Sequence, residues 1–360
     1  MAVELAGNAG RGRLTRRDTG RSLPSQVLEG RLHFILDKLG AGEQCELVLD
    51  TDASPGVRRG VRLEHMKADG RIGIKVRGKP FTTYHYGDAP YRPYFYPFLG
   101  PGGVQITRNY PMRDDVAGES QDHVHHRSVW VGFGDVNGSD NWTEIEESGF
   151  QAPGDDLVVS SGAVLGQFSH TLEWQDCHRV NQMRERRTVV VYNTPDSARL
   201  MELTVALEAA YGPVRLGDTK EGGICSVRVA ATMDAAKEGK FENSYGAIDD
   251  AEAWGKPAHW CDYSGPCEGR HVGVAVFDHP MNLRHPTTWH VRGYGLMGAN
   301  PFAHAAYKSS RLTDGSYTIA AGDTLAFNYR LLLHNGDAGR GRVAERYHDY
   351  LNPPTVEAAS

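Results

Sequence analysis

A dense histidine cluster is the strongest chemical signal in this 360-residue chain, which contains 16 histidines. Residues 122–127 read Asp-His-Val-His-His-Arg. Because side chains alternate between faces in an extended segment, His123 and His125 would share one face and His126 the other. Two imidazoles on one face can exchange protons near neutral pH or bind a metal. We therefore predict catalytic roles for His123, His125 and His126, and a divalent metal at His123 and His125 is an alternative.

A polar loop with a tryptophan follows the histidines. The pair Asn137-Gly138 is a strong hairpin-turn signal. Acceptors for hydroxyl groups beside flat aromatic rings are typical of sugar-binding sites. A calcium loop is the competing interpretation, but this chain lacks the glutamate that ends such loops. The predicted substrate-binding residues of this region are Arg127, Asp135, Asn137, Asp140 and Trp142.

Three further segments carry candidate groups. Residues 84–97 are rich in aromatics, and Pro93 and Pro97 argue against a central strand because proline lacks the N–H of a ladder. The aromatic side chains of this stretch would either line a ligand-binding site or anchor a loop on the sheet. Lys220 and Glu221 lie together on an irregular loop, where they could supply an acid, a base or a hydroxyl clamp, or simply face water. The binding residues predicted from the remaining positions are Tyr84, His85, Tyr94, His290 and Asn300.

Short strands must position these groups. Forty-two glycines and 18 prolines indicate many turns, which favours a β-rich chain. In residues 128–133, Trp130 and Gly132 would face one way and Val129, Val131 and Phe133 the other. We predict a mainly β fold, a large antiparallel β-sandwich with a C-terminal helix. The strand candidates are Gln44–Asp50, Arg71–Val76, Phe81–Tyr86, Ser128–Phe133, Leu157–Leu165, Thr188–Tyr192, Met201–Ala209, Ile224–Ala230, His271–Phe277, Thr288–Tyr294 and Thr324–Leu333.

The chain is expected to form one domain over residues 28–352. Residues 1–27 lack hydrophobic periodicity and are predicted to be a flexible leader, and residues 353–360 a tail. The best helix candidate is Gly341–Leu351, where Val343, Tyr347 and Leu351 recur at four-residue steps. A second, weaker candidate covers residues 233–239.

Composition excludes several classes of function. The formal net charge of −6 leaves no cationic surface for nucleic acid or anionic membrane. No apolar run is long enough to span a membrane, and no secretory signal is present. Five cysteines without a Cys-x-x-Cys pair indicate reduced thiols in a cytoplasmic protein. No glycine-rich nucleotide motif was found, so no further cofactor is predicted.

Several blocks together resemble a bacterial family named "methane oxygenase PmoA-like", also described as a domain of unknown function. The resemblance spans residues 30–350, with valine at 124 where the family is expected to have proline. Particulate methane monooxygenase is a membrane enzyme and this chain has no spanning segment, so we interpret the name as a misannotation. The blocks that carry the resemblance are residues 84–87, 91–97, 100–103, 122–127, 132–138, 217–222 and 300–302.

The resemblance implies carbohydrate chemistry, because such soluble families are often encoded near sugar dehydrogenases. The strand pattern is also similar to the supersandwich of galactose mutarotase-like proteins, by analogy of fold. The leading hypothesis is an enzyme that hydrolyses, eliminates or epimerises a sugar, oxidised sugar or glycoside by acid–base chemistry. The alternatives are a metal-dependent oxygenase with histidine ligands and a non-catalytic carbohydrate-binding protein. We expect the histidine, Lys220–Glu221 and Asn300 segments to converge on one pocket.

Overall fold

The computed structural model describes residues 2–4, 12–53, 59–308 and 314–357. Within these ranges the chain is dominated by strands, which are numbered in chain order. The first thirteen are β1 (Ala2–Glu4), β2 (Arg13–Arg16), β3 (Ser22–Leu23), β4 (Ser25–Leu28), β5 (Arg31–Phe34), β6 (Leu47–Asp50), β7 (Val61–Met66), β8 (Arg71–Val76), β9 (Lys79–His85), β10 (Tyr94–Phe98), β11 (Val129–Val136), β12 (Ser139–Asn141) and β13 (Phe150–Pro153). The others are β14 (Val158–Ser160), β15 (Leu165–Gln175), β16 (Asn181–Tyr192), β17 (Ala198–Glu208), β18 (Val214–Leu216), β19 (Gly222–Arg228), β20 (Lys240–Asn243), β21 (Trp260–Cys267), β22 (Arg270–Asp278), β23 (Trp289–Arg292), β24 (Leu296–Ala299), β25 (Tyr317–Ile319) and β26 (Thr324–Asn335).

Helices are few in the described ranges. The α-helices are α1 (Asp249–Ala253), α2 (His304–Tyr307) and α3 (Val343–Leu351), and short 3-10 turns cover Lys67–Asp69, Pro101–Gly103 and Ala231–Met233. Helix α3 confirms the predicted C-terminal helix, whereas the weak candidate at 233–239 has no α-helix. None of the described helices is both long and apolar enough to cross a membrane.

Two large antiparallel sheets form the body of the fold, as predicted. The first has the order β23-β24-β19-β11-β10-β9-β8-β7, and the second has the order β13-β15-β16-β17-β26-β22-β21-β20. One hydrophobic core contains residues of both sheets, including Val131 and Ile224 of the first and Phe168 and Leu331 of the second. The predicted alternation in β11 is confirmed: Val131 and its inward neighbours join this core, while Trp130 belongs to a separate cluster on the outer face.

Strand β10 corrects one expectation. Its prolines were expected to exclude a central strand, yet β10 lies between β9 and β11. The pairing register shifts between Phe95 and Phe98, so Pro97 falls in an irregular stretch where no ladder N–H is required. The two ends of the aromatic segment, in β9 and β10, are therefore part of the sheet, whereas residues 86–93 between them form no strand.

Part of the predicted leader lies in strands of the structure. Residues 12–27 contain β2, β3 and part of β4, and β2 pairs with both β3 and β6. Leu14 and Leu23 are buried against Leu32 and Phe34. Strands β2, β3 and β4 are too short to show hydrophobic periodicity in the sequence. The apolar side chains that Leu14 and Leu23 pack against include Leu32 and Phe34, which lie outside residues 1–27. Val356 of the predicted tail packs against the same cluster.

Replacing Leu14 with Ala should open this N-terminal cluster. Leu14 is 3% exposed, and a buried Leu→Ala change costs about 2–5 kcal/mol. We expect amide hydrogen exchange across residues 13–34 to accelerate strongly, whereas Val27→Ala, at a side chain that is 36% exposed, should change it little. Equal exchange in the two variants would show that the cluster does not hold the segment.

Candidate functional site

One row of directly paired residues crosses the outer face of the first sheet. His290 pairs with Gly298, Gly298 with Ser226, and Ser226 with Trp130. Side chains of directly paired residues lie on the same face of a sheet. The two small residues in the middle therefore leave space between the large rings of Trp130 and His290.

Trp142 occupies the space above this row. Its ring centroid lies 5.4 Å from that of Trp130 and 6.5 Å from that of His290. A Cβ at Gly132 would lie 3.1 Å from the Asn141 carbonyl oxygen and 3.4 Å from the Trp142 ring, so the tightest contact that glycine avoids is with the backbone. Trp142, which was predicted to bind substrate, is 0% exposed, and its indole packs against His125 and His126.

The histidine segment lies against this aromatic layer. His125 and His126 approach the Trp142 ring edge-on, at centroid distances of 5.9 and 5.7 Å. His126 also stacks on Trp130 at 5.2 Å. His123 and His125 were predicted to share one face of an extended segment. Residues 123–126 instead form a turn, which is closed by a hydrogen bond from the His126 N–H to the His123 carbonyl.

Two buried arginines hold the histidine turn in place. Arg108 donates to the His123 carbonyl at 2.9 Å and to the Asp122 carboxylate at 2.7 Å. Arg228, on β19, bonds His126 Nδ1 at 2.9 Å. Because a guanidinium can only donate, His126 accepts at Nδ1 and carries its proton on Nε2. The turn is thus fixed by charged donors from two other segments.

Asp122 and His123 form an oriented pair. His123 Nδ1 lies 2.8 Å from Asp122 Oδ2. Partial burial acts to raise the pKa of Asp122, but hydrogen bonds from Ser120, His123 and Arg108 and the charge of Arg228 hold it well below its usual value. An ionised carboxylate only accepts, so Nδ1 carries a proton and Nε2 is the nitrogen that can take one up. This is the arrangement of a general base with an orienting carboxylate.

The backbone at His123 supports a special role for this residue. Its φ is +45°, in the left-handed region that a non-glycine residue seldom adopts. The ring lies against both His126, at a centroid distance of 4.7 Å, and Tyr294, at 5.2 Å, and its side chain is 38% exposed. Local strain of this kind persists where the surroundings fix it, often at functional sites. His123 is therefore the accessible member of the histidine group.

The other histidines of the site are neutral at physiological pH. Burial, reinforced by Arg92 and other cations, lowers the pKa of His125 to about 3. Burial lowers the pKa of His290 to about 3 as well, with Lys220 and Arg292 adding to the effect, and that of His126 falls well below its usual value for the same reason. Neutral imidazoles can donate and accept hydrogen bonds but are weak bases here.

The segment around Lys220 and Glu221 reaches the same region. Asn300 donates from Nδ2 to the Thr219 carbonyl at 3.0 Å, and the backbone of Lys220 hydrogen-bonds His290. Lys220 and Glu221 form an ion pair, with side chains 47% and 40% exposed. Burial raises the pKa of Tyr294, and the charges of Glu221 and Asp122 add to the rise. Tyr294 lies beside the histidine turn, with its ring centroid 5.2 Å from that of His123.

Tyr84, a predicted binding residue, lies on the other side of the sheet from the histidine turn. It is 0% exposed in the core between the sheets, and its hydroxyl bonds His170 Nε2 at 2.8 Å. Alternation along β9 sends Tyr84 inward and the next residue outward. Tyr84 is thus a structural residue.

His85, Tyr94 and Arg127 continue the outer row away from the histidine turn. Tyr94 pairs with Trp130 and His85 with Tyr94. The two rings stack at 4.7 Å, and His85 Nε2 bonds the Tyr96 carbonyl at 2.9 Å. Arg127 is bidentate to buried Glu144 and lies over the Tyr94 ring. The ring nitrogens of His85 and the guanidinium of Arg127 are therefore engaged by protein partners.

The predicted hairpin residues shape the turn itself. Asp135 accepts from the Gly138 N–H at 2.9 Å, and Asn137 accepts from the Arg215 N–H at 2.8 Å. Asp140 accepts from the Trp142 N–H at 2.7 Å. Their oxygens are used by the chain, because short polar side chains beside a turn bond the local backbone.

In the part of the chain that the structure describes, no three His, Cys, Asp or Glu side chains are grouped so that they could hold a metal ion. His123 and His125 have ring centroids 5.7 Å apart, with planes inclined by 70°.

Sequence analysis missed three residues of this site: Arg108, Arg228 and Tyr294. Arg228 stands near the end of a strand that is otherwise apolar, and it is 2% exposed. A charged residue in a buried strand demands partners and often marks function, so this signal was present in the sequence. Tyr294 is flanked by glycines in the turn between β23 and β24 and carried no comparable signal.

The depressed histidine pKa values predict acid sensitivity. Below pH 6.5 the unfolded chain protonates its histidines, whereas folded His125 and His290 stay neutral down to about pH 3. Stability is therefore present above pH 6.5 and falls as the pH is lowered. In urea unfolding between pH 6 and 4, His290→Asn should reduce the slope of stability against pH by about 1.4 kcal/mol per unit, one proton's worth. An unchanged slope would mean that His290 is already charged when folded.

Comparison with known families gives one match. A family model described as "Family of unknown function (DUF6807)" matches residues 71–348, which include every residue of the site described above. No curated protein matches the chain.

Proposed function

Because the chain belongs to the DUF6807 family, whose function is not known, its site geometry must carry any assignment, and we propose that it is a carbohydrate-active enzyme. The reaction would be acid–base chemistry on a sugar, an oxidised sugar or a glycoside. The observation that carries the proposal is the Asp122–His123 pair, in which Nδ1 and Oδ2 are 2.8 Å apart.

His123 would act as general base through Nε2. Its other nitrogen is engaged by Asp122, so the imidazole is held in one tautomer and one orientation. It would remove a proton from a carbon next to a carbonyl in elimination or epimerisation, or from water in hydrolysis. The imidazolium formed is stabilised by the Asp122 carboxylate and returns the proton to the leaving group or to the product.

The groups around His123 suit a polyhydroxylated substrate. Tyr294 offers a phenol beside His123, and the Lys220–Glu221 ion pair lies on the loop that hydrogen-bonds His290; all three side chains are at least partly exposed. His125 is half-buried and neutral, so its ring can donate to one hydroxyl and accept from another. Such a mixture of donors and acceptors fits vicinal hydroxyls better than an apolar ligand.

Incubation of the protein with 3-keto glycosides and ordinary glycosides in D₂O tests the proposal. Proton NMR should show deuterium entering the carbon next to the carbonyl or release of the aglycone, faster than in a His123→Asn control. The absence of exchange, elimination and hydrolysis with every sugar would overturn it. Stoichiometric iron or copper in the purified protein, with oxygen-dependent turnover, would instead favour the oxygenase alternative.

A further inference from the structure

A chain of hydrogen bonds connects four side chains at one end of the second sheet. The Tyr245 hydroxyl lies 3.1 Å from Nε2 of His259, and Nδ1 of His259 lies 3.1 Å from Nε2 of His285. On the other side of its ring, His285 Nδ1 lies 2.7 Å from Asp278 Oδ2. Tyr245 is 63% exposed, whereas Asp278 is 0% exposed. The chain therefore joins a hydroxyl that reagents in solution can reach to a buried carboxylate.

Backbone hydrogen bonds hold the exposed end of the chain in place. The Tyr245 N–H donates to Asn243 Oδ1 at 3.0 Å. The neighbouring Ser244 N–H donates to the Trp260 carbonyl at 3.1 Å, and the Ser244 hydroxyl accepts from the His259 N–H at 2.9 Å. The loop that carries the phenol is thus tied directly to the segment that carries the first imidazole, so the two rings meet in one defined arrangement.

Asp278 fixes the buried end of the chain. Its carboxylate accepts from Asn282 Nδ2 at 2.7 Å and from the Thr287 N–H at 2.8 Å, in addition to the bond with His285. A carboxylate oxygen accepts, so Nδ1 of His285 is the donor. With one hydrogen on each ring, all three bonds of the chain run in the same direction. The Tyr245 O–H then donates to His259 Nε2.

This order of groups is that of a nucleophile, a general base and the groups that orient the base. Burial, with a contribution from neighbouring His285, lowers the pKa of His259. The His259 ring is therefore neutral at physiological pH, and its Nε2 can accept the phenol proton. An imidazolium formed there can donate from Nδ1 toward His285 and, through it, interact with the Asp278 carboxylate. The exposed hydroxyl itself adds little to stability, because water competes for its hydrogen bond.

We propose that Tyr245 is a nucleophile that takes acyl groups from activated esters. Its oxygen attacks the carbonyl carbon, and the bond from that carbon to the leaving oxygen breaks. The phenol proton passes to His259 Nε2 and from there to the leaving oxygen, so the products are an O-acyl tyrosine and an alcohol. Phosphoryl transfer relies on cationic clamps, and among the described residues no lysine or arginine hydrogen-bonds to this chain. Tyr245 reacts in this way whether or not the histidine turn acts on a sugar.

Incubation of the full chain with p-nitrophenyl acetate, followed by peptide mass spectrometry, tests the proposal. Tyr211 is the matched control in the same molecule, because it is 46% exposed and its hydroxyl bonds Glu173 and Arg184 rather than an imidazole. At pH 7 Tyr245 should be acetylated at least about tenfold faster than Tyr211, a modest share of what a general base contributes. Equal rates overturn the proposal, and so does acetylation of His259 in place of Tyr245.

The pH dependence of acetylation is a second readout that needs no variant. A phenol without a base reacts as the phenolate, so its rate rises about tenfold per pH unit below its ordinary pKa of about 10. The rate at Tyr245 should instead level off once His259 has lost its proton, above about pH 6.5. Between pH 7 and 8 acetylation should therefore stay nearly constant at Tyr245 and rise at Tyr211. A tenfold rise at both tyrosines would mean that His259 gives no assistance.

His259→Asn removes the base and should slow acetylation of Tyr245 at least about tenfold, while Tyr211 in the same sample keeps its rate. His271→Asn is the matched control, since His271 is an exposed histidine of β22, and it should change neither rate. An unchanged rate at Tyr245 in the His259→Asn variant contradicts the proposal. If that variant does not fold, the pH dependence measured on the unaltered chain decides the matter.

Discussion

His123→Asn is expected to reduce turnover by about 10²–10⁴-fold, the usual contribution of a general base. Asparagine approximates the size of the ring and can bond Asp122, but it cannot accept a proton at physiological pH. Stability should change little, since the side chain is 38% exposed and lies on the surface of the turn. Steady-state rates on the sugar found active in D₂O measure the effect.

His178→Asn is the matched control for this variant. His178 is an exposed histidine on the second sheet, in the turn between β15 and β16, and its replacement should leave the rate unchanged. A His123→Asn enzyme with more than about a tenth of the original activity would be incompatible with a role as general base, for which losses of 10² or more are typical.

Glu185→Gln should cause the largest loss of stability in the core. Glu185 and Arg187 are 0% and 1% exposed, and their oxygens and nitrogens are 2.6 and 2.9 Å apart in a bidentate pair. Glu185 also accepts from the Trp174 indole at 2.7 Å. Removing the carboxylate leaves a buried guanidinium without its counter-charge, which costs about 3–5 kcal/mol. Urea unfolding of the full chain measures the difference.

Two further variants separate the ion pair from simple loss of contacts. Glu173→Gln breaks the partly exposed pair with Arg184 and should cost less than about 1 kcal/mol. The double change Glu185→Leu with Arg187→Met removes both charges and should recover part of the loss, because no unpaired ion remains. A single Glu185→Gln variant as stable as Glu173→Gln would show that Arg187 finds another partner.

The sequence by itself determined the class of fold and much of the strand layout. Arg71–Val76 was placed with both ends correct, and residues 343–351 lie within the predicted helix. The alternation of Val129, Val131 and Phe133 with Trp130 predicted which side of β11 faces the core. These features depend on the hydrophobic periodicity along the chain, which is a local property of the sequence.

The sequence also indicated which segment carries the candidate site, but it did not specify how the segments that build the site come together. Histidine density marked residues 123–126, but their turn depends on Arg108 and Arg228, which come from other segments. The opposite faces taken by Tyr84 and His85 follow from alternation, yet only the sheet order shows which face is the core.

Only the tertiary structure decided the cross-strand row that carries the site. His290, Gly298, Ser226 and Trp130 come from four strands and become neighbours through register. Register is a property of pairing between distant segments, and a shift by one residue would turn each side chain to the other face. Tertiary structure also decided that Pro97 lies in a central strand, because a local irregularity there removes the need for its missing N–H. Such placements depend on contacts between residues far apart in sequence, so no local pattern could determine them.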